Sequence, residues 1–156
     1  MKLICDRMLG KLAVWLRIAG YDTLYIGDFE CEDEDSELLK NFLDRILLTK
    51  DRELYQKAIK NKRAAFLIVS NDVAEQMKEL KKIGVSFQLL MDRCSVCNSL
   101  LRKPSREEAL EVMVKEGICE DISQKYELWY CEKCKKLYWM GSHWKNMVEF
   151  LKKLDQ

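Results

Sequence analysis

Three apolar runs in the first half of the chain lead into an aspartate. Asp6 ends LICD at residues 3–6, Asp51 follows ILLTK at 46–50, and Asp72 ends FLIVSND at 66–72. Carboxylate oxygens are the ligands that Mg²⁺ and Mn²⁺ prefer in proteins. A pair of such ions can polarise a phosphodiester, activate water and stabilise the leaving oxygen. The acids therefore predict a divalent-metal site if the fold brings them together.

A fourth acid is expected from the acidic stretch that precedes the helical segment SELLKNFL. Asp33 and Asp35 both lie just before that segment, and either can supply it. Like charges about 4 Å apart repel by roughly 4 kcal/mol at an effective dielectric constant of about 20, so such a cluster needs a cation. The competing interpretation makes single acids helix caps, since Asp72 and Glu75 have capping-box spacing. Three acids that follow apolar runs favour a site.

Two CxxC pairs lie in the second half of the chain, with residues 98–130 between them. Four thiolates in two pairs suit a tetrahedral zinc ion that has no open position for catalysis. Structural zinc contributes about 10–16 kcal/mol in small domains, enough to hold a module too small for its own core. The expected zinc ligands are Cys94, Cys97, Cys131 and Cys134. Cys5, Cys31 and Cys119 lack a partner at ligand spacing and are expected to be ordinary thiols.

The overall charge of the chain is close to neutral. Its 156 residues include 27 basic and 26 acidic side chains, for a net charge of +1. The net charge therefore gives no indication of nucleic-acid or membrane binding. No apolar stretch approaches the roughly 18 residues of a membrane span. Asp6 and Arg7 interrupt the N-terminus where a signal peptide requires an apolar segment. We therefore expect a cytoplasmic protein whose cysteines stay reduced.

Short apolar runs alternate with helical segments through residues 1–92. Runs rich in Val, Ile and Leu that are joined by helices are typical of a parallel sheet covered on both faces, which predicts a doubly wound α/β fold. The carboxyl ends of such strands face one crevice, where the acids would meet. Gly20 and Gly84 are placed to end two helices. The expected strands are LIC, TLYI, ILLT, AFLIV and VSFQLL, and the expected helices are 8–19, 36–43, 52–61 and 73–83.

The alternation stops near Asp92, where we place a domain boundary. Residues 1–92 form the expected α/β domain, residues 93–141 a zinc ribbon with a helical piece at 105–114, and residues 142–156 a closing helix that docks on the body. That closing helix has apolar residues at helical spacing. They are Trp144, Met147, Val148, Leu151 and Leu154.

Arg7, Lys11 and His143 are candidates for substrate contacts. Arg7 and Lys11 are four residues apart near a helix start, so they share a face where backbone N–H groups favour phosphate. The alternative interpretation is that Arg7 and Lys11 lie on an ordinary solvent-exposed face of the helix and bind no substrate. His143 is the only histidine, and a lone histidine at a helix start more often has a structural role. Aromatic residues near the second cysteine pair should mostly pack the ribbon, with one or two left to stack on unpaired bases.

Several short sequence motifs, spread over nearly the whole chain, together point to one protein family. They are CDRMLGKLA at 5–13 with WLR at 15–17, LLTKDREL at 47–54, SND at 70–72 with EQ at 75–76, both cysteine pairs, and GSHW at 141–144. Together they resemble the Mut-seven C-terminal RNase family, in which a PIN-like nuclease domain is fused to a zinc ribbon. The resemblance implies a PIN-like sheet whose acids bind divalent metal and cleave RNA.

The resemblance also implies roles for individual residues. Asp6 matches the acid after the first strand, and Asp51 the acid of a Thr-x-Asp motif in which Thr49 is a supporting hydroxyl. Asp35 fits the acid before the Glu-Leu-Leu helix, with Asp33 close enough to remain an alternative, and Asp72 fits the last acid.

Two positions depart from the family pattern. Asn71 stands where related sequences often have a second aspartate. Lys135 follows the second cysteine pair where zinc ribbons usually have glycine, whereas Asn98 after the first pair tolerates a positive φ better. The second departure leaves the zinc ligands untouched.

The leading hypothesis is a metal-dependent ribonuclease. Its four acids would hold one or two Mg²⁺ or Mn²⁺ ions, water would attack phosphorus, and the zinc ribbon would help position RNA. The alternative is a catalytically inactive PIN-like adaptor that binds RNA, although good RNA binders are usually more basic. A phospho-receiver also places acids at strand ends, but it requires an acidic pair after the first strand, which the sequence Cys5-Asp6-Arg7 does not supply.

Overall fold

A computed structural model describes residues 1–88 and 90–154, without the side chains of Ser142 and His143. The described residues contain a four-stranded parallel sheet in the order β2-β1-β3-β4. The strands are β1 (Lys2–Cys5), β2 (Asp22–Tyr25), β3 (Ile46–Thr49) and β4 (Ala65–Leu67). The α/β class with a parallel sheet, predicted from the alternation of runs and helices, is confirmed.

Helices cover both faces of the sheet. In β1, Leu3 and Cys5 lie in one buried cluster and Ile4 lies in another, because successive side chains of a strand point to opposite faces. The strands therefore read as continuous apolar runs, and the doubly wound arrangement is confirmed. The first cluster packs against α1 (Gly10–Ile18), α4 (Val73–Glu79) and α6 (Ser142–Leu154), and the second against α2 (Glu34–Lys40) and α3 (Arg52–Lys60).

The apolar run at residues 85–90 differs from its prediction as a strand. Residues 85–88 and 90 belong to no strand, although Val85 and Phe87 are buried in the first cluster. The Val85 N–H donates to the Leu80 carbonyl oxygen across a turn in which Gly84 has φ +93°. An apolar run indicates burial, and its backbone pairing depends on the preceding turn. Among the described residues, no helix combines the length and apolar character of a membrane span.

Residues 91–141 form a smaller unit around the cysteines. Two short strands, β5 (Trp129–Cys131) and β6 (Lys136–Tyr138), pair in antiparallel fashion. Between the cysteine pairs, α5 (Arg106–Lys115) starts with a capping box, in which Ser105 and Glu108 exchange hydrogen bonds of 3.2 and 2.9 Å. This helix covers an apolar cluster that includes residues of β5 and β6. The predicted boundaries at residues 92 and 141 stay predictions.

The first cysteine pair docks on the outer edge of β2. The Thr23 N–H donates to Asn98 Oδ1 over 2.9 Å, and Asn98 Nδ2 donates to Asp22 Oδ1 over 2.8 Å. Arg17, from α1, donates to the carbonyl oxygen of Val96 over 3.0 Å. An uncovered edge strand would leave its N–H groups unpaired. The cysteine unit therefore supplies an acceptor for the Thr23 N–H group at the edge of β2.

Asp22 is the charged centre of this junction. Arg45 Nη1 lies 2.7 Å and Arg93 Nη2 3.7 Å from its carboxylate. Burial raises the pKa of Asp22, but hydrogen bonds from Arg45 and Asn98 and the charges of Arg45 and Arg93 outweigh it, so the pKa is lowered. A carboxyl group whose pKa is lower in the folded state stabilises the fold above its unfolded pKa. That stability is lost as the pH falls through the folded-state pKa.

We expect Asp22→Asn to lower the free energy of unfolding by about 1.5–3 kcal/mol at neutral pH, since hydrogen bonds to a charged group are lost. The difference from the unsubstituted protein should shrink as the pH falls below the ordinary carboxyl value of 3.8. Urea unfolding followed by circular dichroism at a series of pH values measures both effects. Asp44→Asn is the control, because Asp44 and Lys2 form an exposed pair 3.4 Å apart. Equal losses in the two variants would contradict the prediction.

Candidate active site and cysteine centre

The strand order creates a crevice between β1 and β3. The chain runs from β1 outward to β2 and then returns to the other side of β1, so the direction of the crossover reverses there. Ligands of open parallel sheets bind at the carboxyl ends of strands at such a point. Asp6 directly follows β1 and Asp51 comes two residues after β3. The backbone N–H of Asp6 donates to the Leu48 carbonyl oxygen over 3.1 Å, which fixes Asp6 against β3.

Thr49 links the two strand-end acids. Its hydroxyl donates a short hydrogen bond to Asp6 Oδ2, and its Oγ1 accepts from the Asp51 backbone N–H over 3.0 Å. Thr49 is fully buried and Asp6 is 7% exposed, whereas Asp51 is exposed. The arrangement gives the crevice a buried acid at its base and an accessible acid at its mouth. These hydrogen bonds suit the supporting role that the resemblance implies for Thr49.

The charge of Asp51 acts on two other acids. Burial raises the pKa of Asp6, the negative charge of Asp51 raises it further, and hydrogen bonds from Thr49, Met8 and Lys50 oppose the shift. Burial and then the charge of Asp51 raise the pKa of Asp35. Carboxylates that disfavour one another's ionised form are stabilised by a nearby cation. The negative charge of Asp51 thus acts on both Asp6 and Asp35.

The strand-end acids are also helix N-caps, as the competing interpretation expects for Asp72. Capping occupies only part of a carboxylate, and Asp51 Oδ2 and Asp72 Oδ1 accept no hydrogen bond from the residues that the structure describes. Capping and metal binding are therefore compatible. The capping bonds run from Met8 N to Asp6 Oδ1 (3.2 Å), Glu53 N to Asp51 Oδ1 (2.9 Å) and Glu75 N to Asp72 Oδ2 (3.3 Å).

Asp33 and Asp35 have different environments. Asp33 caps α2, with its Oδ1 accepting from the Ser36 N–H over 3.2 Å. Asp35 lies in the first turn of α2, is exposed, and accepts no hydrogen bond within the described part of the chain. Burial and the charge of Asp51 raise the pKa of this carboxylate. Among the described residues, Asp35 therefore keeps both oxygens free for a cation, whereas Asp33 uses one oxygen as a cap.

Asp72 lies farther from its strand than the sequence suggests. β4 ends at Leu67, and Asp72 bonds only to the helix that it caps among the described residues. Its neighbour Asn71 accepts a short hydrogen bond from Lys50, which lies between Thr49 and Asp51. The end of β4 is therefore connected to the crevice through Asn71.

Two residues that the sequence reasoning did not assign hold the loop before Asp72. Glu79 accepts from the backbone N–H groups of Val69 and Ser70, both over 3.0 Å. Gln76 donates to the Ser70 carbonyl oxygen over 2.9 Å. Burial raises the pKa of Glu79, but the hydrogen bonds that its carboxylate accepts from Val69 and Ser70 outweigh burial, so the pKa is lowered. The sequence did give a signal for Gln76, because the pair Glu75-Gln76 is part of the family resemblance. No sequence signal indicated that Glu79 binds the loop.

The predicted substrate contacts differ in their surroundings. Arg7 lies in a 3₁₀ turn (Arg7–Leu9), and its guanidinium pairs with Glu34, with Nη2 2.5 Å from Oε2. Lys11 is exposed on the first turn of α1. The side chain of His143 lies outside the described residues.

The cysteines form the tightest group of metal-ligating side chains. Within the described residues they are the one group of three or more candidate ligands whose ligand atoms all lie within 4.8 Å of one another, so the acids are more widely spaced. Tetrahedral zinc with Zn–S bonds of about 2.3 Å requires sulfur atoms about 3.8 Å apart. The observed distances of 3.9 Å for Cys94–Cys134 and 3.5 Å for Cys97–Cys131 fit this requirement.

Both cysteine pairs adopt the same turn. Asn98 N donates to the Cys94 carbonyl oxygen over 2.9 Å, and Lys135 N to the Cys131 carbonyl oxygen over 2.8 Å. The residue after each pair has a positive φ, +72° at Asn98 and +54° at Lys135. Lysine has a side-chain cost in this conformation that asparagine partly avoids. The departure from glycine at Lys135 therefore leaves the turn intact, and the four thiols suit zinc.

The fold and the cysteine centre define an α/β protein with an acidic crevice at the switch point of its sheet and an attached zinc-ribbon-type unit. The family model described as the Mut7-C RNAse domain matches residues 1–151. The chain therefore belongs to the Mut7-C RNAse domain family, as the resemblance predicted, and the family description points to a function of the ribonuclease type. Searches of curated proteins and of solved structures gave no match.

Proposed function

We propose that this protein is a metal-dependent ribonuclease that hydrolyses RNA phosphodiester bonds at the crevice between β1 and β3. The observation that carries the proposal is the hydrogen-bonded series Asp6–Thr49–Asp51 at the switch point of the sheet. The family description, with its reference to RNase activity, supports it.

Asp6, Asp35, Asp51 and Asp72 are the proposed ligands for one or two Mg²⁺ or Mn²⁺ ions. All four offer oxygen donors, and a cation would relieve the effect by which the charge of Asp51 raises the pKa of Asp6 and of Asp35. When bound, such ions polarise the phosphodiester, activate water and neutralise the leaving oxygen. The chain supplies orientation, since Thr49 fixes Asp6 and the N-terminus of α3 fixes one oxygen of Asp51.

The remaining parts of the chain have supporting roles in this proposal. Lys11 contacts a phosphate of the RNA backbone from the start of α1, and His143 and the exposed face of Arg7 are further contacts. The zinc ion is structural because four thiolates leave it no open position. The ribbon helps to position RNA, and the protein acts in the cytoplasm.

The test of the proposal is the dependence of RNA cleavage on Mn²⁺. The zinc-loaded protein is incubated with end-labelled single-stranded RNA in buffer free of other divalent ions, and Mn²⁺ is then titrated. We expect cleavage only with added Mn²⁺, because the acids repel one another without it. Zinc content is measured before and after as the control. Equal cleavage with and without Mn²⁺ would refute the metal-dependent mechanism.

A second candidate function is an RNA-binding adaptor without catalytic activity. The wider spacing of the acids compared with the cysteines favours it. An adaptor would bind the same RNA equally well at every Mn²⁺ concentration and would never cut it. The titration therefore separates the two candidates in one experiment.

A further inference from the structure

We infer that the ion pair between Arg7 and Glu34 positions two of the metal-binding acids, so that Arg7 is a positioning residue before it is a phosphate contact. The inference rests on the proposed function, because it concerns the same metal site. Its basis is adjacency in the chain. Arg7 directly follows Asp6, and Glu34 directly precedes Asp35.

Arg7 and Glu34 form a bidentate ion pair. Arg7 Nε and Nη2 lie 2.9 and 2.5 Å from Glu34 Oε2, and Nε lies 3.1 Å from Oε1. Charge-assisted bonds of this kind fix both distance and orientation. Consecutive Cα atoms are about 3.8 Å apart, so fixing residue 7 on residue 34 restricts how far Asp6 can lie from Asp35. The ion pair therefore joins the turn after β1 to the start of α2.

The backbone of Arg7 is held from a second direction. The Tyr25 hydroxyl donates to the Arg7 carbonyl oxygen over 2.6 Å. The Tyr25 ring lies between two glycines: a Cβ added at Gly10 would come within 3.2 Å of the ring, and one at Gly27 would overlap it. The backbone and the side chain of Arg7 are thus both fixed, which suits a residue that locates its neighbour Asp6.

A simple charge effect and a positioning effect predict opposite results at Arg7. Removing a positive charge near a cation site strengthens cation binding if only Coulomb attraction acts. Removing the residue that aligns Asp6 with Asp35 weakens cation binding instead. Arg7→Met, which keeps an unbranched side chain but removes the charge, therefore distinguishes the two effects. Glu34→Gln weakens binding under either effect, so it serves as a supporting variant.

The experiment measures Mn²⁺ binding to the full-length, zinc-loaded protein by electron paramagnetic resonance, without RNA. We expect Arg7→Met and Glu34→Gln each to raise the Mn²⁺ dissociation constant by about 10- to 100-fold, as for other residues that orient metal ligands. Arg7→Lys keeps the positive charge but lacks the planar, bidentate geometry of a guanidinium. We expect it to weaken Mn²⁺ binding as well. Glu53→Gln is the matched control, since it removes an acid two residues after Asp51 that is not a proposed ligand and forms no ion pair among the described residues.

Circular dichroism and zinc content establish that each variant is folded. Both charged groups are partly exposed, with side chains 62% and 25% accessible, so we expect little change in thermal stability. Unchanged or tighter Mn²⁺ binding by Arg7→Met or Arg7→Lys would overturn the inference and leave the proposed function standing. Absence of Mn²⁺ binding by the unsubstituted protein would overturn the proposed function and the inference with it.

Discussion

Asp6→Asn and Asp51→Asn are each expected to slow RNA cleavage at a fixed Mn²⁺ concentration by about 10³-fold. A metal ion supplies several kcal/mol of charge stabilisation in the transition state, and each 1.36 kcal/mol corresponds to about a tenfold change in rate. Asparagine keeps the size of the side chain and the oxygen that caps the helix. The loss of one negative oxygen should therefore affect metal binding far more than folding.

Single-turnover cleavage of end-labelled RNA measures this effect, with Glu53→Gln as a control that removes an exposed acid outside the proposed ligand set. Asp35→Asn and Asp33→Asn form a second matched pair. We expect a large loss for Asp35, whose carboxylate responds to Asp51, and almost none for Asp33, whose capping function asparagine can take over. Retained cleavage in both Asp6→Asn and Asp51→Asn would rule out the proposed mechanism.

Cys131→Ser is expected to abolish zinc binding and to unfold residues 91–141. Apparent zinc affinity in small domains corresponds to about 10–16 kcal/mol, and much of it is folding free energy. The effect should extend to the α/β body, because Asn98 accepts the hydrogen bond of the Thr23 N–H at the edge of β2. We therefore expect faster hydrogen exchange at Thr23 as well as in the cysteine unit.

Zinc content, circular dichroism and hydrogen exchange followed by mass spectrometry measure these changes. Cys119→Ser is the control, because Cys119 is exposed and lies outside the cysteine group. We expect that substitution to change stability by less than about 0.5 kcal/mol. Full zinc content in Cys131→Ser, or an unchanged exchange rate at Thr23 once zinc is lost, would contradict the respective part of the prediction.

The elements near each acid were predictable from the sequence because they depend on local patterns. A continuous run such as Ile46–Thr49 indicates a strand buried on both faces, and an aspartate two residues after it indicates both a helix cap and a crevice. The spacing of Cys94 and Cys97 is likewise a local property. These features survive almost any packing of the rest of the chain, so the α/β class and the cysteine group could be predicted.

Other features depended on segments far apart in the chain. The run at 85–90 is predicted to be a strand, but the turn at Gly84 takes its first N–H group, and Val85 and Phe87 are buried without strand pairing. Arg7 stays a predicted phosphate contact, and its ion pair with Glu34, 27 positions away in the sequence, had no signal in the spacing of residues. Periodicity reports which side of a segment is apolar and carries no information on the partner that the segment meets.

The sequence by itself determined the class of the fold, the family and the cysteine group, because residue type and short spacing define them. Only the tertiary structure decided that Thr49 bridges Asp6 and Asp51 and that the charge of Asp51 helps to raise the pKa of Asp35. It also decided that Asn98 of the cysteine unit completes the edge of β2. The physical reason is that a hydrogen bond or a charge effect acts over a few ångströms in space, and packing sets those distances for residues distant in the chain.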